Sequence, residues 1–521
     1  MLKYEKSFLA MEVVMLITDR YKDQIAGVVS CYDRIIIQGT IPEWCYDQAM
    51  TSFLYSQKIR IFDYPAFASK LRDAITANTQ RIAQEQGVTV EFIRKIKAFR
   101  KEDRIKAILK QRGEHPGLVH IFSAMESCTS YKPWHDKKSG KTYLKYDSGK
   151  CLHYYFYFID PVFGLCYLRV PTWCPLRLQF YCNGHNWLAH KLTKGHIPHV
   201  VQENAFLAID NFHKAQALCD TTRVNQLHKA LDLFARRYCP PITTQGLSYH
   251  WSIMQVEYAT DIVFKKQADL RCLYEPLIRI AIHSVKPENI TSFLGQKLHL
   301  NYQGEVGNNF NTRILGTRIK HQMGAVSIKM YDKFGIMLRI ETTVNDVSQF
   351  KIFREVQQRT GLSIKKQAPL KKNIYSLFPL ASLLQACNRR YLEFISTLED
   401  PSQGVRNLNH VSKTVQENNR CYSGFNFYDQ DDQKLLEVLA RGEFNIKGLY
   451  NKSLRTYFPD KSSSSISRIL KRLNAHGLIR KVAKTYKYYL TRLGKAVIAT
   501  GLAIKQMFVI PRLTEVKTCY R

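Results

Sequence analysis

The segment from residue 318 to residue 346 has the alternating pattern of a β-hairpin, and it restricts the possible folds more than any other part of the chain. We expect its turn at Lys333-Phe334-Gly335. Because side chains alternate along a strand, one polar face then carries Lys329, Tyr331, Arg339 and Glu341. This register places Lys329 opposite Arg339, and such a like-charge pair is destabilising unless an anion binds between the cations. The hairpin therefore predicts a phosphate site.

Three strands, "VEYATDIVF", "ILGTRIKHQMGAVSIKMYDK" and "IMLRIETTV", lie in order over residues 250–345. This series resembles that of rolling-circle replication initiators of plasmids and filamentous phages. The resemblance implies that Glu257, Asp261 and Glu341 hold a divalent metal. It also implies that a tyrosine attacks a DNA phosphate, for which Tyr331 is the candidate, with Lys329 and Arg339 beside it.

The chemistry of these residues supports a site of this kind. Three carboxylates suit Mg²⁺ or Mn²⁺, which prefer oxygen ligands. Such a metal would polarise a phosphate, while Lys329 and Arg339 would offset the developing negative charge. A Lys329–Glu341 ion pair on a solvated face is the structural alternative.

A second acidic pair, Asp33 and Asp160, provides an alternative. Asp33 stands at the head of the aliphatic strand "DRIIIQGT", and ribonuclease-H-like nucleases and transposases also carry an Asp before such a run. A simple ion pair between Asp33 and Arg34 at the end of a strand is the structural alternative.

Residues 431 to 521 have the pattern of three helices followed by two strands. The third helix, "SSSSISRILKRLNAHGLI", has serines available as N-cap, and Gly477 ends it. Ile466, Ile469, Leu470 and Leu473 have the spacing of a buried helix face. Residues 431–500 contain 15 Lys and Arg against 5 Asp and Glu, which favours DNA as the partner.

This region resembles the winged-helix domains of bacterial regulators of the multiple-antibiotic-resistance type, most closely in "RILKRLNAHGLIRKV" and "YYLTRLGKAV". The resemblance implies a helix in the DNA major groove and a basic hairpin on the minor groove or backbone. A winged helix used only for protein contacts is the alternative. The residues expected at DNA are Ser464, Ser465, Arg468, Lys471, Arg472, Lys481, Lys484 and Lys487.

Basic residues in the N-terminal half predict further nucleic-acid contacts. We expect one long helix from Tyr64 to Arg112 and a loop from Tyr131 to Lys150 in which lysines and aromatic residues are interleaved. Lysines meet phosphates, and aromatic rings stack on unpaired bases. A solvated helix and an ordinary packed hairpin loop are the structural alternatives. The candidates are Arg100, Lys101, Arg104, Lys132, Trp134, Lys137, Lys141, Tyr143 and Lys145.

Composition supports a polyanionic partner. The chain has 77 Lys and Arg against 43 Asp and Glu, a formal net charge of +34. We find no apolar run long enough for a membrane span and no signal-peptide pattern, so we expect no membrane partner and a cytoplasmic, nucleoid-associated protein. None of the 13 cysteines forms a C-x-x-C pair. We expect Cys166, Cys174 and Cys182 to be buried free thiols rather than metal ligands.

These features predict an α+β, multidomain protein: a mixed α/β body with an antiparallel sheet, plus a C-terminal winged helix-turn-helix domain. The expected divisions are a basic domain (1–240), a domain with the phosphate or metal site (241–398), a linker (399–430) and the winged helix (431–521). The leading hypothesis is a DNA-binding protein of a bacterial mobile element or replicon that nicks or joins DNA with Mg²⁺ or Mn²⁺. A large transcriptional regulator without catalysis and an RNA-binding protein are the alternatives, and a homodimer is considered.

Overall fold

The computed structural model describes residues 15–94, 99–220, 224–296, 304–313, 316–358, 361–399, 402–483 and 485–514. The chain divides into two compact units, Met1–Glu399 and Asp400–Arg521. Helices and strands are both abundant, which confirms the α+β class. The boundary expected near residue 240 falls inside the first unit, because strands from both sides of it pair in one sheet.

The first unit contains fifteen strands among the residues that the structure describes. They are β1 (Ile25–Thr40), β2 (Val90–Phe92), β3 (Gly117–Asp136), β4 (Lys141–Asp160), β5 (Gly164–Pro171), β6 (Leu178–Asn183), β7 (His199–Val201), β8 (Phe206–Ile209), β9 (His250–Phe264), β10 (Val306–Arg313), β11 (Gly316–Met323), β12 (Val326–Lys333), β13 (Met337–Val344), β14 (Lys351–Gln357) and β15 (Ser363–Pro369).

The helices of this unit surround the strands. They are α1 (Ile17–Arg20), α2 (Asp47–Ser56), α3 (Tyr64–Glu85), α4 (Lys101–Arg112), α5 (Gly184–Lys194), α6 (Phe212–Asp220), α7 (Val224–Tyr238), α8 (Pro241–Thr244), α9 (Gln267–Ser284), α10 (Pro287–Leu294) and α11 (Leu377–Glu399).

Eleven strands form one sheet in the order β10-β11-β12-β13-β9-β1-β6-β5-β4-β3-β2. Its neighbours are antiparallel except for the β2–β3 pair. The central strand β1 pairs with β9 on one side and with β6 on the other. This arrangement brings residues 33, 257 and 341 to neighbouring positions, although more than 300 positions separate the first from the last in the chain.

A β-bulge in β1 lies at the centre of this arrangement. Tyr32 pairs with Tyr258 and Arg34 pairs with Glu257, so Asp33 is an extra residue between two regular pairs. A bulge interrupts the simple alternation of side chains and can turn one of them toward a site.

Two expectations for this unit are wrong in detail. The long helix expected from Tyr64 to Arg112 is divided into α3 and α4, with the short strand β2 between them. The loop expected over residues 131–150 is mostly strand, because β3 and β4 continue to Asp136 and Lys141 and leave only a four-residue turn. The Lys/aromatic segment is therefore a β-ribbon.

The second unit is smaller and mainly helical. Its elements are α12 (Ser402–Ser412), β16 (Val415–Glu417), β17 (Arg420–Tyr422), α13 (Gln430–Leu439), α14 (Gly442–Lys447), α15 (Asn451–Arg455), α16 (Ser463–Ala475), β18 (Ile479–Lys481), β19 (Tyr488–Leu490), α17 (Arg492–Ile504), a π-helical turn (Lys505–Val509) and α18 (Ile510–Thr514). Residues 399–430, expected to be a linker, instead contain α12 and a two-stranded hairpin.

The core of the second unit follows the expected helix pattern. Ile466, Leu470 and Leu473 of α16 are buried, and Ile469 packs against the same cluster. Ser462 caps the helix by accepting a hydrogen bond from the Ser465 N–H. Separately, no helix in the described part of the chain is long and apolar enough to cross a membrane.

Candidate functional site

The hairpin β12–β13 has the expected polar face but a different register. Lys329 pairs with Glu341, and Tyr331 pairs with Arg339. The turn is centred on Gly335, one residue later than expected, because Phe334 and Gly335 both adopt left-handed backbone conformations. Shifting the turn by one residue shifts the pairing by two, so the expected Lys329–Arg339 pair does not form.

A like-charge pair does occur on the other side of Lys329. Lys320 of β11 lies directly opposite it, and burial, together with the charge of Lys329, lowers the pKa of Lys320. Arg318, two residues earlier on β11, adds a further positive charge and lowers the same pKa. The outer edge of the polar face is therefore a row of three cations.

Lys329 is held by two carboxylates. Its Nζ donates to Glu341 Oε1 at 2.7 Å and to Glu257 Oε1 at 3.2 Å. Burial opposes its charge, but the two carboxylates outweigh burial and raise the pKa of Lys329. Tyr331 donates its hydroxyl to the second oxygen of Glu341 at 2.7 Å. On the solvent side, Arg34 Nε lies 3.5 Å from Glu257 Oε2.

Arg339 makes a separate and fully buried ion pair. Its Nε and Nη2 donate to the two oxygens of Asp261 at 2.6 and 2.7 Å, and neither residue has solvent exposure. Nη2 also donates to the backbone oxygen of Asn204 at 2.6 Å. Arg339 was expected to contact a phosphate. Because its guanidinium is buried against Asp261, its role in the site is instead to position other residues.

His185 connects this ion pair to Asp33. Its Nε2 lies 3.2 Å from Asp261 Oδ2, and its Nδ1 lies 3.2 Å from Asp33 Oδ1. The Asn204 side-chain amide donates to both Asp33 oxygens at 2.6 and 2.9 Å. Lys333 donates to the side-chain oxygen of Asn204.

The protonation states of this cluster follow from its contacts. Burial disfavours ionised Asp33, but the contact with His185 and the charge of Arg339 hold its pKa well below the usual value. Burial likewise opposes ionisation of Asp261, and Arg339 and His185 lower its pKa. Burial and the charge of Arg339 lower the pKa of Lys333 to about 8. Both aspartates are therefore carboxylates at neutral pH.

Three carboxylates can hold a metal, but one of them differs from the expected set. Ligand oxygens of Asp33, Glu257 and Glu341 lie within 4.8 Å of one another, and all three residues are buried. Asp261 was expected in place of Asp33, but both of its oxygens accept from Arg339. The candidate ligand set is therefore Asp33, Glu257 and Glu341.

Lys329 occupies part of this space in the structure. Its ammonium bridges Glu257 and Glu341, so a metal ion at these oxygens must displace it or share them with it. The inner carboxylates Asp33, Glu257, Asp261 and Glu341 are already matched in number by the cations Arg34, Lys329, Lys333 and Arg339. A divalent cation would leave the cluster positive, and an anion would restore neutrality.

Tyr331 has its hydroxyl in the cluster. Burial and the charge of Glu341 raise the pKa of Tyr331 well above its usual value, so the hydroxyl keeps its proton at neutral pH. Glu341 Oε2, which accepts that hydroxyl, is the nearest base for the proton. Ionisation of Tyr331 therefore requires a nearby positive charge and transfer of the proton to Glu341.

The β3–β4 ribbon places four of the predicted contacts on one face. Lys132 pairs with Lys145 and Trp134 with Tyr143. Lys145 Nζ lies 3.8 Å from the centre of the Trp134 ring and 5.9 Å from that of Tyr143, so it covers the surface on which a base would stack. Tyr131 is buried and donates to the Trp44 carbonyl at 2.6 Å, a structural role. Lys137 and Lys141 are exposed at and beside the turn.

The candidates in and beside α4 differ among themselves. Lys101 is packed, with its Nζ 3.1 Å from the centre of the Tyr155 ring, and burial lowers its pKa to about 8. Arg104 is half-exposed and pairs with Glu91 at 3.1 Å. Arg100 is exposed. Lys101 is therefore a packing residue, and the other two remain available at the surface.

Arg472 in the second unit has an unexpected structural role. It was expected at the DNA surface, but its guanidinium donates to both oxygens of Asp432 at 2.7 and 2.9 Å and stacks on Phe425 at 3.9 Å. It also donates to the backbone oxygen of Ser423. The spacing that places Arg472 outside the apolar stripe does not reveal that α13 covers it.

The other predicted DNA contacts of this unit are solvent-accessible. Ser464, Arg468 and Lys471 are exposed on α16, and Ser465 is half-buried at its first turn. Lys481 is exposed on β18, and Lys487 lies 4.9 Å from the centre of the Tyr489 ring. Lys484 lies outside the described residues.

Two further outcomes concern cysteine and the second acidic pair. Cys166, Cys174 and Cys182 are buried free thiols, as expected.

Asp160 accepts hydrogen bonds from the Val162 and Phe163 N–H groups in the turn after β4, so it does not join Asp33.

Sequence reasoning did not place His185 or Asn204 in this cluster. Asn183 ends β6 and caps α5 by accepting from the His185 N–H at 2.8 Å, which fixes the start of the helix and the position of His185. The short segment "NGHNW" carries an N-cap signal, but nothing in it indicates that His185 faces two buried aspartates.

Comparison of the chain with protein-family models, curated proteins and solved structures gave no match.

Proposed function

We propose that the first unit binds a divalent metal together with a phosphodiester and nicks or joins DNA, and that the second unit recognises the DNA. The observation that carries this proposal is the convergence of Asp33, Glu257 and Glu341, with Lys329 and the Tyr331 hydroxyl bound to Glu341. Oxygen ligands of this kind favour Mg²⁺ or Mn²⁺ over softer metals.

The charges around the site favour a phosphate as the anion. Inside the cluster, cations and carboxylates are balanced, so a divalent metal adds two uncompensated charges. Outside it, Lys320 and Arg318 extend the positive row that begins at Lys329. A phosphodiester between the metal and this row would offset the excess charge of the metal. It would also reduce the repulsion among Lys329, Lys320 and Arg318.

The residues of the cluster have distinct roles in this proposal. A metal at the three carboxylates would polarise the phosphate and stabilise its extra negative charge. Lys329, displaced from Glu257 and Glu341, would then contact a phosphate oxygen. Arg339 and His185 are positioning residues, because they hold Asp261 and Asp33 in place without solvent access.

Two nucleophiles fit this geometry. Tyr331 would pass its proton to Glu341 as its oxygen bonds to phosphorus; the bond from phosphorus to the departing deoxyribose oxygen would break, and solvent would protonate that oxygen. The product would be a phosphotyrosine linkage that a free DNA hydroxyl can reverse. Alternatively, a water molecule would attack phosphorus and give its proton to Glu341, while the same bond from phosphorus to the deoxyribose oxygen would break and solvent would protonate that oxygen.

DNA recognition is assigned to the second unit on its charge and element order. Helices α13 to α16 precede a two-stranded hairpin, β18–β19, as in the winged helix implied by the sequence resemblance. Arg468 and Lys471 are exposed on α16, where a recognition helix would present them. The first unit would add single-strand contacts through the β3–β4 ribbon.

The test is nicking of supercoiled DNA by the full chain with Mg²⁺ or Mn²⁺. Wild type is expected to convert supercoiled to open-circular DNA, and Asp33→Asn and Glu341→Gln are expected to abolish this while duplex binding persists. Glu355→Gln makes the same charge change on the exposed strand β14 and should cleave like wild type. A protein–DNA adduct on a denaturing gel that is lost in Tyr331→Phe would identify the tyrosine as nucleophile.

Failure of wild type to cut single-stranded, duplex and supercoiled DNA with either metal would remove the catalytic proposal. So would equal cleavage by Glu341→Gln. One observation favours the second candidate, a DNA-binding regulator without catalysis: the cluster is already neutral, with Lys329 in the space between two of the carboxylates. RNA binding by the ribbon is the remaining alternative, distinguished by sequencing the nucleic acid that co-purifies with the protein.

A further inference from the structure

A polar cavity of about 200 Å³ lies beside the β3–β4 ribbon in the first unit. It is bounded by β3, β5 and β6, and by the segment from Pro171 to Leu178 that joins β5 to β6. Its volume is below the range of about 300–1,000 Å³ that is typical of sites for organic ligands, so it is suited to a small ion. None of the metal or DNA chemistry proposed above uses it.

The lining of this cavity is positively charged. Arg169 and Arg177 both border it, and no aspartate or glutamate does. Arg169 is compensated by Glu126, which accepts from its Nε and Nη2 at 3.1 and 2.7 Å. Arg177 forms no ion pair within the part of the chain that the structure describes, and its Nη2 donates to the Cys45 carbonyl at 2.9 Å. A half-buried guanidinium without a carboxylate favours a bound anion.

Arg177 and two neighbouring amides can donate to such an anion. The Nη1 of Arg177 has no acceptor among the described residues and, unlike its Nε, is not enclosed by protein atoms. Gln179 pairs with Arg169 on one side and with Gln38 on the other, so two side-chain amides continue the row across β6 and β1. Both amides border the cavity. Donors of this kind bind the oxygens of tetrahedral oxyanions.

One buried acceptor also borders the cavity. His153 is 2% exposed, and its Nδ1 lies 3.1 Å from the Cys151 carbonyl. Because a carbonyl can only accept, Nδ1 carries the proton and Nε2 has a free lone pair. Burial and the charge of Arg169 lower the pKa of His153 to about 4, so the ring is neutral at pH 7. Nε2 has no partner among the described residues and is not enclosed by protein atoms, so a ligand that meets it must supply a donor.

We propose that this cavity binds free hydrogen phosphate, the phosphate dianion that carries one proton. Its bare oxygens accept from Arg177 and from the amides of Gln38 and Gln179, and its O–H donates to His153 Nε2. Sulfate has the same shape and charge but no proton, so it would leave His153 without a donor. The proposal does not depend on catalysis at the carboxylate cluster.

Phosphate and sulfate are the matched probes for the acceptor. In calorimetric titrations of the full chain at pH 8 and constant ionic strength, phosphate should bind and sulfate should bind roughly tenfold more weakly, as one hydrogen bond allows. Adsorption to the basic surface affects the two dianions equally and gives no such ratio. His153→Leu should bring the two affinities together. Equal affinities in wild type, or a phosphate preference that survives in His153→Leu, would overturn the assignment of His153.

Two further variants test the place of binding. Arg177→Gln should weaken phosphate binding at least tenfold, because hydrogen bonds to a charged group are the stronger kind. Arg236→Gln makes the same charge change on an exposed part of α7 and should bind like wild type. Ser127→Trp covers the cavity from an exposed position and should abolish binding. The inference is overturned if wild type shows no saturable phosphate binding, or if Arg177→Gln and Ser127→Trp, shown to be folded by circular dichroism, both bind like wild type.

Cys128 provides a readout in the unaltered chain. Its half-buried thiol borders the cavity, whereas Cys421 is exposed in the second unit. Phosphate should slow alkylation of Cys128 by iodoacetamide, located by mass spectrometry, and leave Cys421 unaffected. A phosphate at the end of a DNA strand has lost its last proton at pH 8, since its second pKa is about 6. A 5′-phosphorylated dinucleotide that protects Cys128 at lower concentration than free phosphate would therefore overturn the assignment to the free ion.

Discussion

Arg339 and Asp261 form a two-point ion pair at the centre of the first unit, with hydrogen bonds of 2.6 and 2.7 Å and no solvent exposure on either side chain. The pair occupies the position where the sequence predicted a metal ligand and a phosphate-binding cation. Its burial means that each charge depends on the other, and that neither is available to a ligand.

Loss of Arg339 should destabilise the first unit strongly. Arg339→Met leaves Asp261 buried without its countercharge, and we expect a loss of about 3–5 kcal/mol in the free energy of unfolding. The double variant Arg339→Met/Asp261→Leu removes both charges and should recover part of that loss. All five tryptophans lie before residue 399, so urea unfolding followed by tryptophan fluorescence reports on this unit. A double variant no more stable than the single one would contradict this prediction.

Acid should weaken the contribution of Asp33. Its pKa is lowered in the folded state by His185 and Arg339, against an unfolded value of about 3.9. The stabilisation is therefore fully present above about pH 5 and is lost progressively as the pH falls past the unfolded-state pKa toward the lower folded-state pKa. We expect the stability gap between wild type and Asp33→Asn to narrow between pH 5 and pH 2. A stability difference that stays constant over this pH range would show that the ionisation of Asp33 does not contribute to the stability of the fold.

Removal of Lys329 should strengthen metal binding. Lys329→Met frees Glu257 and Glu341 from the ammonium that bridges them, so Mn²⁺ should bind on the order of tenfold more tightly, as measured by calorimetry. The same variant should lower any nicking rate, because the phosphate loses a cation. Lys365→Met on the exposed strand β15 is the matched control. Weaker Mn²⁺ binding in Lys329→Met would show that the lysine supports the carboxylates rather than competing for them.

Arg468 and Arg472 should behave differently although they are four residues apart on α16. Arg468 is exposed, so Arg468→Ala should leave stability unchanged and reduce preference for a specific DNA site. Arg472→Ala breaks the ion pair with Asp432 and should lower the stability of the second unit. Faster hydrogen exchange of the backbone amides in this unit would measure that loss. If Arg468→Ala binds specific and random duplexes with wild-type preference, α16 is not the recognition helix.

The ribbon should favour single strands through Trp134. Trp134→Ala is expected to cost on the order of 1–3 kcal/mol in single-strand affinity if a base replaces Lys145 on the ring. Tyr146→Ala, an exposed aromatic that packs on the opposite side against Tyr131, should have little effect. The measurement is fluorescence anisotropy with labelled oligonucleotides. Equal losses in the two variants would indicate a general effect on the ribbon.

The sequence predicts well which side chains share one face of a strand, because that depends only on their alternation along the chain. Lys329, Tyr331, Arg339 and Glu341 do share one face of a hairpin, because side chains alternate with a period of two. The register was wrong because it depends on the left-handed backbone of Phe334, a non-glycine residue that gives no such signal. A shift of two residues keeps the face and changes every partner.

The full charged cluster could not be predicted in this way. Asp33 enters it through a bulge, which alternation does not anticipate, and His185 enters it from the first turn of α5. Asp33 rather than Asp261 is available as a metal ligand because Arg339 binds Asp261. This ion pair follows from the pairing of β13 with β9, which places the two residues opposite each other. Such competition between buried charges is not encoded in any short stretch of the chain.

The position of β1 at the centre of the sheet also has a consequence for synthesis of the protein. The chain leaves the ribosome with Asp33 early, but Asp261 follows more than 200 residues later and Arg339 later still. Until then β1 lacks its neighbour β9, and the two aspartates lack the guanidinium that makes their burial tolerable. A nascent chain or a truncated product that stops before β13 is therefore expected to be handled by chaperones and proteases as unfinished, because its central strand cannot be buried without its countercharge.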